Sequence, residues 1–142
     1  MTVQIVKEIP VRIPKRQLVQ LAKATQKTER KKSVAEQVQL IFVTDSTMKR
    51  LNGTFRGKAK TTDVLSFPLN ESLLGEVYIS VPVAARQAKE YGVSLSNEII
   101  RLFCHGLLHL YGHDHHKPDE TRLMRKREQQ LLDIVSPGVW QW

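Results

Sequence analysis

The histidines are the residues of this chain most suited to chemistry, because all five lie within twelve consecutive positions, 105–116. His105 and His109 are four residues apart, so on a helix they share a face with Cβ atoms about 6 Å apart. Gly112 allows the chain to reverse in a left-handed conformation, and His115 can then return to the same point. The spacing of His105, His109 and His115 therefore predicts a site in which three imidazoles bind one metal ion.

A catalytic metal is the favoured interpretation of this spacing. Three histidines leave one position of a tetrahedral zinc ion open for water, and bound zinc lowers the pKa of that water to about 7. The alternatives are a run of surface or capping histidines and a purely structural metal. A structural zinc would want a fourth protein ligand, but Cys104, the one thiol, lies about 100° round the helix from His105. We expect that thiol to be buried and inert.

The residues between and beside the three histidines narrow the chemistry. Zinc peptidases carry a glutamate directly after the first histidine as general base, whereas Gly106 stands there in this chain. We expect Gly106 to leave room beside the metal for a bulky substrate. His113 and His116 are not expected to be ligands. Asp114 is expected either to orient a ligand imidazole or only to shape the turn.

The charge of the chain is unevenly distributed. The net charge is +8, but residues 1–60 hold 14 basic and 4 acidic side chains, whereas residues 61–142 hold 8 and 10. The first part thus carries +10 and the second −2. Such asymmetry is typical of a protein that binds a polyanion, and nucleic acid is the first candidate. The alternative is a solvated surface that binds no partner.

One basic stretch, residues 49–60, combines cations with glycines and an aromatic residue, Phe55. This composition is typical of a loop that contacts a phosphate backbone. Its candidate nucleic-acid-binding residues are Arg50, Arg56, Lys58 and Lys60. A denser cluster, residues 27–32, is predicted to be a helix end and its loop, since cations suit helix C-termini.

Hydrophobic periodicity predicts the element order β-α-β-α-β-β-α-α-α. The clearest strand is 37–44, with Val38, Leu40 and Phe42 on one face and Ile41 and Val43 on the other. The other predicted strands are 2–9, 64–67 and 76–81, and the predicted helices begin at Pro14, at a cap on Asp45 or Ser46, and then span 82–91, 97–111 (capped by Ser94 or Ser96) and 118–135. This pattern predicts an α+β fold with a small mixed sheet of four strands and helices packed on it.

Length and composition predict a single domain over residues 1–142. With 41% apolar and 25% charged residues, the chain is neither disordered nor a membrane protein, and one cysteine excludes an intrachain disulfide. Lys7, Glu8 and Pro10 occupy positions that a signal peptide would fill with apolar residues. We therefore expect a cytoplasmic protein with no membrane partner. Residues 135–142, which include Trp140 and Trp142, are expected to be a loose tail or to dock locally.

Two blocks of this sequence resemble one known family. The segment HGLLHLYGHDH at 105–115 is similar to the signature of the YbeY family, the metal-dependent endoribonucleases of bacterial rRNA maturation. The segment LNGTFRGKAKTTDVLSFP at 51–68 resembles that family's arginine-bearing basic loop. LGEVYIS at 74–80 and ARQAKEYG at 85–92 match more weakly, and Glu76 stands where an aspartate is common.

The resemblance implies a function that composition and spacing do not supply. It implies a zinc-like ion on His105, His109 and His115, cleavage of single-stranded RNA, and Arg56 as the family's important arginine. The implied biological task is maturation of the 3′ end of small-subunit rRNA and ribosome quality control, with the small ribosomal subunit as a partner. Nickel or another divalent metal would suit three imidazoles as well as zinc.

The expected mechanism is metal-assisted hydrolysis of a phosphodiester, in which Arg56 holds the phosphate or stabilises the developing charge. Arg56 could instead be an ordinary surface cation or the ion-pair partner of Asp63. The nucleophile is either water or the 2′-hydroxyl. Two other classes of function remain open: a metallohydrolase acting on peptides or small molecules, and a non-catalytic RNA- or ribosome-binding protein whose metal only joins helix to loop.

Overall fold

The computed structural model describes residues 1–29, 37–70 and 72–141. In these residues the elements follow the predicted order, and they are β1 (Thr2–Lys7), α1 (Lys15–Glu29), β2 (Gln37–Val43), α2 (Asp45–Arg56), β3 (Val64–Pro68), β4 (Leu73–Ser80), α3 (Val81–Tyr91), α4 (Leu95–Leu110) and α5 (Pro118–Val135). The predicted bounds of α5 are confirmed. Residues 30–32 of the basic cluster and Trp142 lie outside the described residues.

The four strands form one mixed sheet in the order β1-β2-β4-β3. β1 pairs with β2 and β2 with β4 in parallel, whereas β3 is antiparallel to β4. The predicted α+β fold with a four-stranded mixed sheet and five helices is thus confirmed. β3 lies at one edge of the sheet.

The alternation of apolar residues in β2 places a separate cluster on each face of the sheet. Val38, Leu40 and Phe42 belong to the larger core, which also contains buried residues of α1, α4 and α5. Ile41 and Val43 belong to a smaller cluster with Met48 of α2 and Leu65 of β3. The structure confirms this two-sided assignment, and in the smaller cluster the buried helical residue is Met48 of α2.

Helix α2 has a different cap from the two predicted, and it continues into the stretch 49–60 that was predicted to be a loop. The cap is Thr44, whose hydroxyl accepts a hydrogen bond from the backbone N–H of Thr47, so the expectation of Asp45 or Ser46 is wrong. The helix continues to Arg56 and ends at Gly57, which adopts a left-handed conformation with φ 67°. Most of the stretch 49–60 is therefore helical, and only its last four residues form a loop.

Helix α4 is the most deeply buried helix of the described fold. Ser94 caps it, as one of the two predicted alternatives, by accepting a hydrogen bond from the N–H of Asn97. Ten of its sixteen residues are buried, and it contacts α1, α3, α5 and both strands β3 and β4. A helix held on so many sides is a rigid support for side chains at its C-terminal end.

The segment after α5 docks on the domain, at least as far as Trp140. The Trp140 side chain is buried, and its ring lies 5.9 Å from that of Tyr91, edge to face. The guanidinium of Arg101 lies over both rings, at 5.3 and 5.4 Å from their centroids. Of the two alternatives for this segment, local docking is therefore observed, and a loose tail is wrong for the part up to Trp140.

Within the described residues, no helix combines the length and the apolar character needed to cross a bilayer.

Candidate metal centre

The structure brings His105, His109 and His115 together at the C-terminal end of α4. His105 and His109 lie on the last two turns of the helix and His115 on the loop that follows, and one ring nitrogen of each lies within 4.8 Å of the others. The two Nε2 atoms of His105 and His109 are 3.0 Å apart. Two nitrogens at about 2.0–2.1 Å from one tetrahedral ion are about 3.4 Å apart, so the three imidazoles fit a divalent metal.

A carboxylate on α5 orients the first of these imidazoles. Nδ1 of His105 lies 3.0 Å from Oε1 of Glu128, a side chain that is almost fully buried. A proton on Nδ1 donated to this carboxylate leaves the lone pair of Nε2 directed at His109 and His115. This is the carboxylate–histidine arrangement that selects the tautomer and strengthens a metal ligand.

The second imidazole is held in its neutral form. Burial, followed by the proximity of His105 and His115, lowers the pKa of His109 from 6.5 to about 4. A hydrogen bond to the backbone of His113 opposes this shift only in part. Because a metal binds neutral imidazole, His109 is ready to act as a ligand at neutral pH without first losing a proton.

The third imidazole depends on the loop after α4. Gly112 has φ 94°, a conformation that glycine adopts without strain, and it redirects the chain after the helix. The backbone N–H of His115 donates to Oδ1 of Asp114 at 2.7 Å, and the carbonyl of His115 accepts from the Thr121 hydroxyl at 3.1 Å. Of the two alternatives for Asp114, the observed contact is that of a residue that shapes the turn.

The remaining two histidines have other partners. His113 is buried, and its Nε2 lies 2.8 Å from Oε1 of Glu29 at the end of α1. This contact joins α1 to the loop that leads from Gly112 to His115. His116 is exposed and lies 3.4 Å from Oδ2 of Asp114. Neither side chain is part of the cluster of converging nitrogens.

The two small residues beside His105 face the core. Cys104 is fully buried, and burial raises the pKa of its thiol well above the usual range, so the expectation of an inert cysteine agrees with its surroundings. Gly106 is also buried: a Cβ there would lie 2.7 Å from Cγ1 of Val77 and 3.0 Å from Oγ of Ser66. The expectation that Gly106 makes room for substrate is wrong, because the space it leaves is occupied by the sheet.

The three histidines line a cavity of about 580 Å³ between α4, β3 and the end of α2. Arg56, the last residue of α2, and Asp63, just before β3, lie on its walls. Asp63 accepts hydrogen bonds from the N–H of Val64 and from the Gln87 side chain, and no ion pair joins it to Arg56. Arg56 is exposed and shares the cavity with the histidines, so the Asp63 partnership is not what the structure shows.

The other candidate RNA-binding residues lie apart from this cavity. Arg50 lines a separate depression on α2 together with Lys49, and its charge also acts on Glu8, whose pKa is lowered mainly by hydrogen bonds from Thr47 and Thr44. Lys58 and Lys60 are exposed on the loop after α2. The structure therefore brings Arg56 alone of the four cations to the histidines.

Sequence reasoning missed the carboxylates that support the site. Glu128 follows His105 by 23 residues and Glu29 precedes His113 by 84, so neither pairing leaves a local pattern. Glu128 does stand out in one respect, since it lies on the same stripe of α5 as the buried residues Met124, Leu131 and Leu132. An acidic residue on the apolar face of a helix indicates a buried partner.

Comparison with known proteins identifies the family of this chain. The profile of the family described as Endoribonuclease YbeY matches residues 4–136. Endoribonuclease YbeY of Carboxydothermus hydrogenoformans is 45% identical over 69% of this chain and 71% of that protein. The protein of the same name from Pelotomaculum thermopropionicum is 40% identical over 79% and 82%. The longer one from Myxococcus xanthus is 47% identical, and the match spans 68% of this chain but only 35% of that protein.

A solved structure has the same fold. The solution structure of TM1509 from Thermotoga maritima superposes with a TM-score of 0.65 at 28% identity, over 94% of this chain and 89% of that one. The residues matched by the family profile, 4–136, include all three histidines and Arg56. This chain belongs to the YbeY family of endoribonucleases.

Proposed function

We propose that this protein is a zinc-dependent endoribonuclease that cleaves single-stranded RNA in the cytoplasm, during maturation of the 3′ end of small-subunit rRNA and in ribosome quality control. The observation that carries the proposal is the cavity that holds three convergent imidazoles and Arg56 together. The family supplies the endoribonuclease activity and the rRNA-processing role. The small ribosomal subunit is the proposed partner.

The donor set favours a borderline metal such as zinc, although nickel would also suit it. His105, His109 and His115 would hold the ion, and it would supply a Lewis acid and an activated water when bound. Glu128 keeps the proton of His105 on Nδ1, and burial keeps His109 neutral. These residues make the site ready for the metal at neutral pH.

Arg56 is the residue that would bind the scissile phosphate. Its planar guanidinium can donate two parallel hydrogen bonds to phosphate oxygens. It is exposed at the cavity wall, and no ion pair with Asp63 neutralises it. Arg50, Lys58 and Lys60 lie outside the cavity, where they would contact the RNA backbone farther from the cleavage point.

The two other classes of function have less support. A peptidase would need a general base beside the first histidine, and Gly106 is instead packed against the sheet. A purely structural metal would have no need for an open cavity of about 580 Å³ beside its ligands. The exposed cation on the cavity wall, Arg56, instead favours an enzyme whose substrate carries a phosphate.

The test compares Arg56→Ala with the wild-type protein, both loaded with metal. We expect the maximum rate of cleavage of single-stranded RNA to fall about 100-fold or more, as when a donor to developing charge is removed. Metal content, measured by elemental analysis, is expected to stay at one ion per chain. Arg56→Lys tests the geometry, because it keeps the charge without the planar fork.

Arg16→Ala is the matched control, since Arg16 is an exposed cation at the start of α1 and does not line the cavity. It should cleave like the wild type. If the metal-loaded wild type never cuts RNA, or cuts peptides instead, the proposed function is wrong. If Arg56→Ala cleaves as fast as Arg16→Ala, the role of Arg56 is wrong.

A further inference from the structure

A second groove reaches two of the candidate metal ligands, His105 and His115, and Arg56 does not line it. It has a volume of about 400 Å³ and lies between α4 and α5, with Arg101, Thr121 and Arg125 on its walls. This groove and the cavity of Arg56 share only His105 and His115 among the described residues. His105 and His115 therefore lie where the two depressions join, whereas His109 lines only the cavity of Arg56.

An endonuclease cuts within a chain, so its substrate must continue on both sides of the scissile phosphate. A single cavity at the histidines would suit a chain end, whereas two depressions that meet there suit an uninterrupted strand. We propose that the α4–α5 groove holds the RNA on the far side of the cleavage point, and that Arg125 binds a backbone phosphate there. The proposal rests on the endoribonuclease function proposed above.

Arg125 is the one cation of this groove that is available for a ligand. It is exposed, and no carboxylate in the described part of the chain lies within ion-pair distance of it. Arg101, by contrast, donates from Nε and Nη2 to the two carboxylate oxygens of Glu98 at 2.7 and 2.8 Å. Its charge is thus largely compensated, so Arg101 forms a wall of the groove while Arg125 supplies the net charge.

The acidic residue of the groove does not oppose phosphate binding at its surface. Glu128 is nearly buried, and its carboxylate is engaged with Nδ1 of His105. Arg125 is one turn earlier on α5, on the same side of the helix, and its longer side chain reaches solvent. In this groove the cation, Arg125, is exposed to solvent, whereas the carboxylate of Glu128 is buried. This arrangement favours the binding of an anion.

The experiment measures single-turnover cleavage of a single-stranded 12-nucleotide RNA as a function of the concentration of metal-loaded protein. We expect Arg125→Ala to raise the half-saturating concentration about fivefold, the effect of one partly exposed phosphate contact. The maximum rate should stay unchanged, because Arg125 is remote from the reacting group. Affinity should also depend less on salt: the plot of log affinity against log salt concentration should become less steep by about 0.7, as for one lost phosphate contact to a single strand.

Lys126→Ala is the matched control, because it removes the same charge from the next residue of α5, which is exposed but does not line the groove. Arg125→Lys should recover most of the affinity. If the wild type is active and Arg125→Ala has the same half-saturating concentration and salt dependence as Lys126→Ala, the proposal that RNA binds in the groove is wrong. The proposed endoribonuclease function would then still stand. A wild type that does not cleave RNA would overturn both.

Discussion

Glu128 and His105 form a carboxylate–imidazole contact that the spacing of the three candidate metal ligands does not reveal. The contact is 3.0 Å long and lies on the buried side of the ring. Glu128→Gln keeps the shape of the side chain but removes the charge that strengthens the imidazole as a ligand. We expect the metal affinity to fall about 10- to 100-fold, as measured by competition with a coloured chelator.

The control for this residue is Glu90→Gln, which removes an exposed carboxylate from α3, away from the histidines. It should leave the metal affinity unchanged. A Glu128→Gln variant that binds metal as tightly as Glu90→Gln would show that His105 is oriented by packing alone. Comparing the melting temperatures of the metal-free variants separates a weakened ligand from a weakened fold.

At the scale of elements, the close approach of α4 to the sheet determines where the histidines lie. Gly106 is the point of contact: its carbonyl accepts a hydrogen bond from the Ser66 hydroxyl at 3.1 Å, and a Cβ would lie 2.7 Å from Val77. Gly106→Ala should therefore destabilise the fold by about 1–3 kcal/mol, the cost typical of overpacking. Urea unfolding of the metal-free protein measures this change.

Gly53→Ala is the control for Gly106→Ala, since Gly53 is also a helical glycine. A Cβ at Gly53 would meet Ala59 no closer than 3.5 Å, an ordinary van der Waals contact. Because alanine favours a helix by about 1 kcal/mol over glycine, this change should be neutral or stabilising. If Gly106→Ala behaved in the same way, the packing between α4 and the sheet would be more adaptable than the short distances indicate.

Local sequence patterns predicted most helices and strands and the histidine cluster. The features that these patterns did not predict depend on contacts between residues far apart in the sequence. The alternation in β2 and the i, i+4 spacing of His105 and His109 are properties of neighbouring residues, and both appear in the structure as expected. The fit of Gly106 against the sheet depends on residues about 30–40 positions away in sequence. The composition of residues 49–60 also predicted a loop where α2 in fact continues to Arg56, and the helix ends at the left-handed turn at Gly57.

At the scale of the whole molecule, charge and metal chemistry occupy different parts of one fold. The basic excess lies in residues 1–60, whereas all three candidate ligands follow position 104. Arg56 joins the two at one side of the site, and Arg125 adds a cation from the nearly neutral half at the other. The net charge of +8 is thus only a coarse guide, because the position of individual cations around the histidines determines where a strand can bind.

The stability of the metal-free protein should depend on pH through His109. Burial lowers its pKa in the folded state to about 4, whereas the unfolded chain has the ordinary value of 6.5. Between these values the unfolded state binds more protons at this residue, so the free energy of unfolding decreases as the pH falls from about 6.5 to about 4. Above pH 6.5 both states are neutral at His109, and its contribution is constant.

Urea unfolding in the presence of a chelator, at pH 7.5, 6, 5 and 4.5, measures this dependence against a His109→Gln variant. The variant keeps a polar side chain but cannot take up a proton, so its stability should fall less steeply with decreasing pH. The difference between the two proteins removes the contribution of the other titrating groups, provided that the fold is shared. If the free energy of unfolding had the same pH dependence in both proteins, His109 would be as easily protonated in the folded state as in the unfolded one. Burial would then not be what keeps this imidazole neutral.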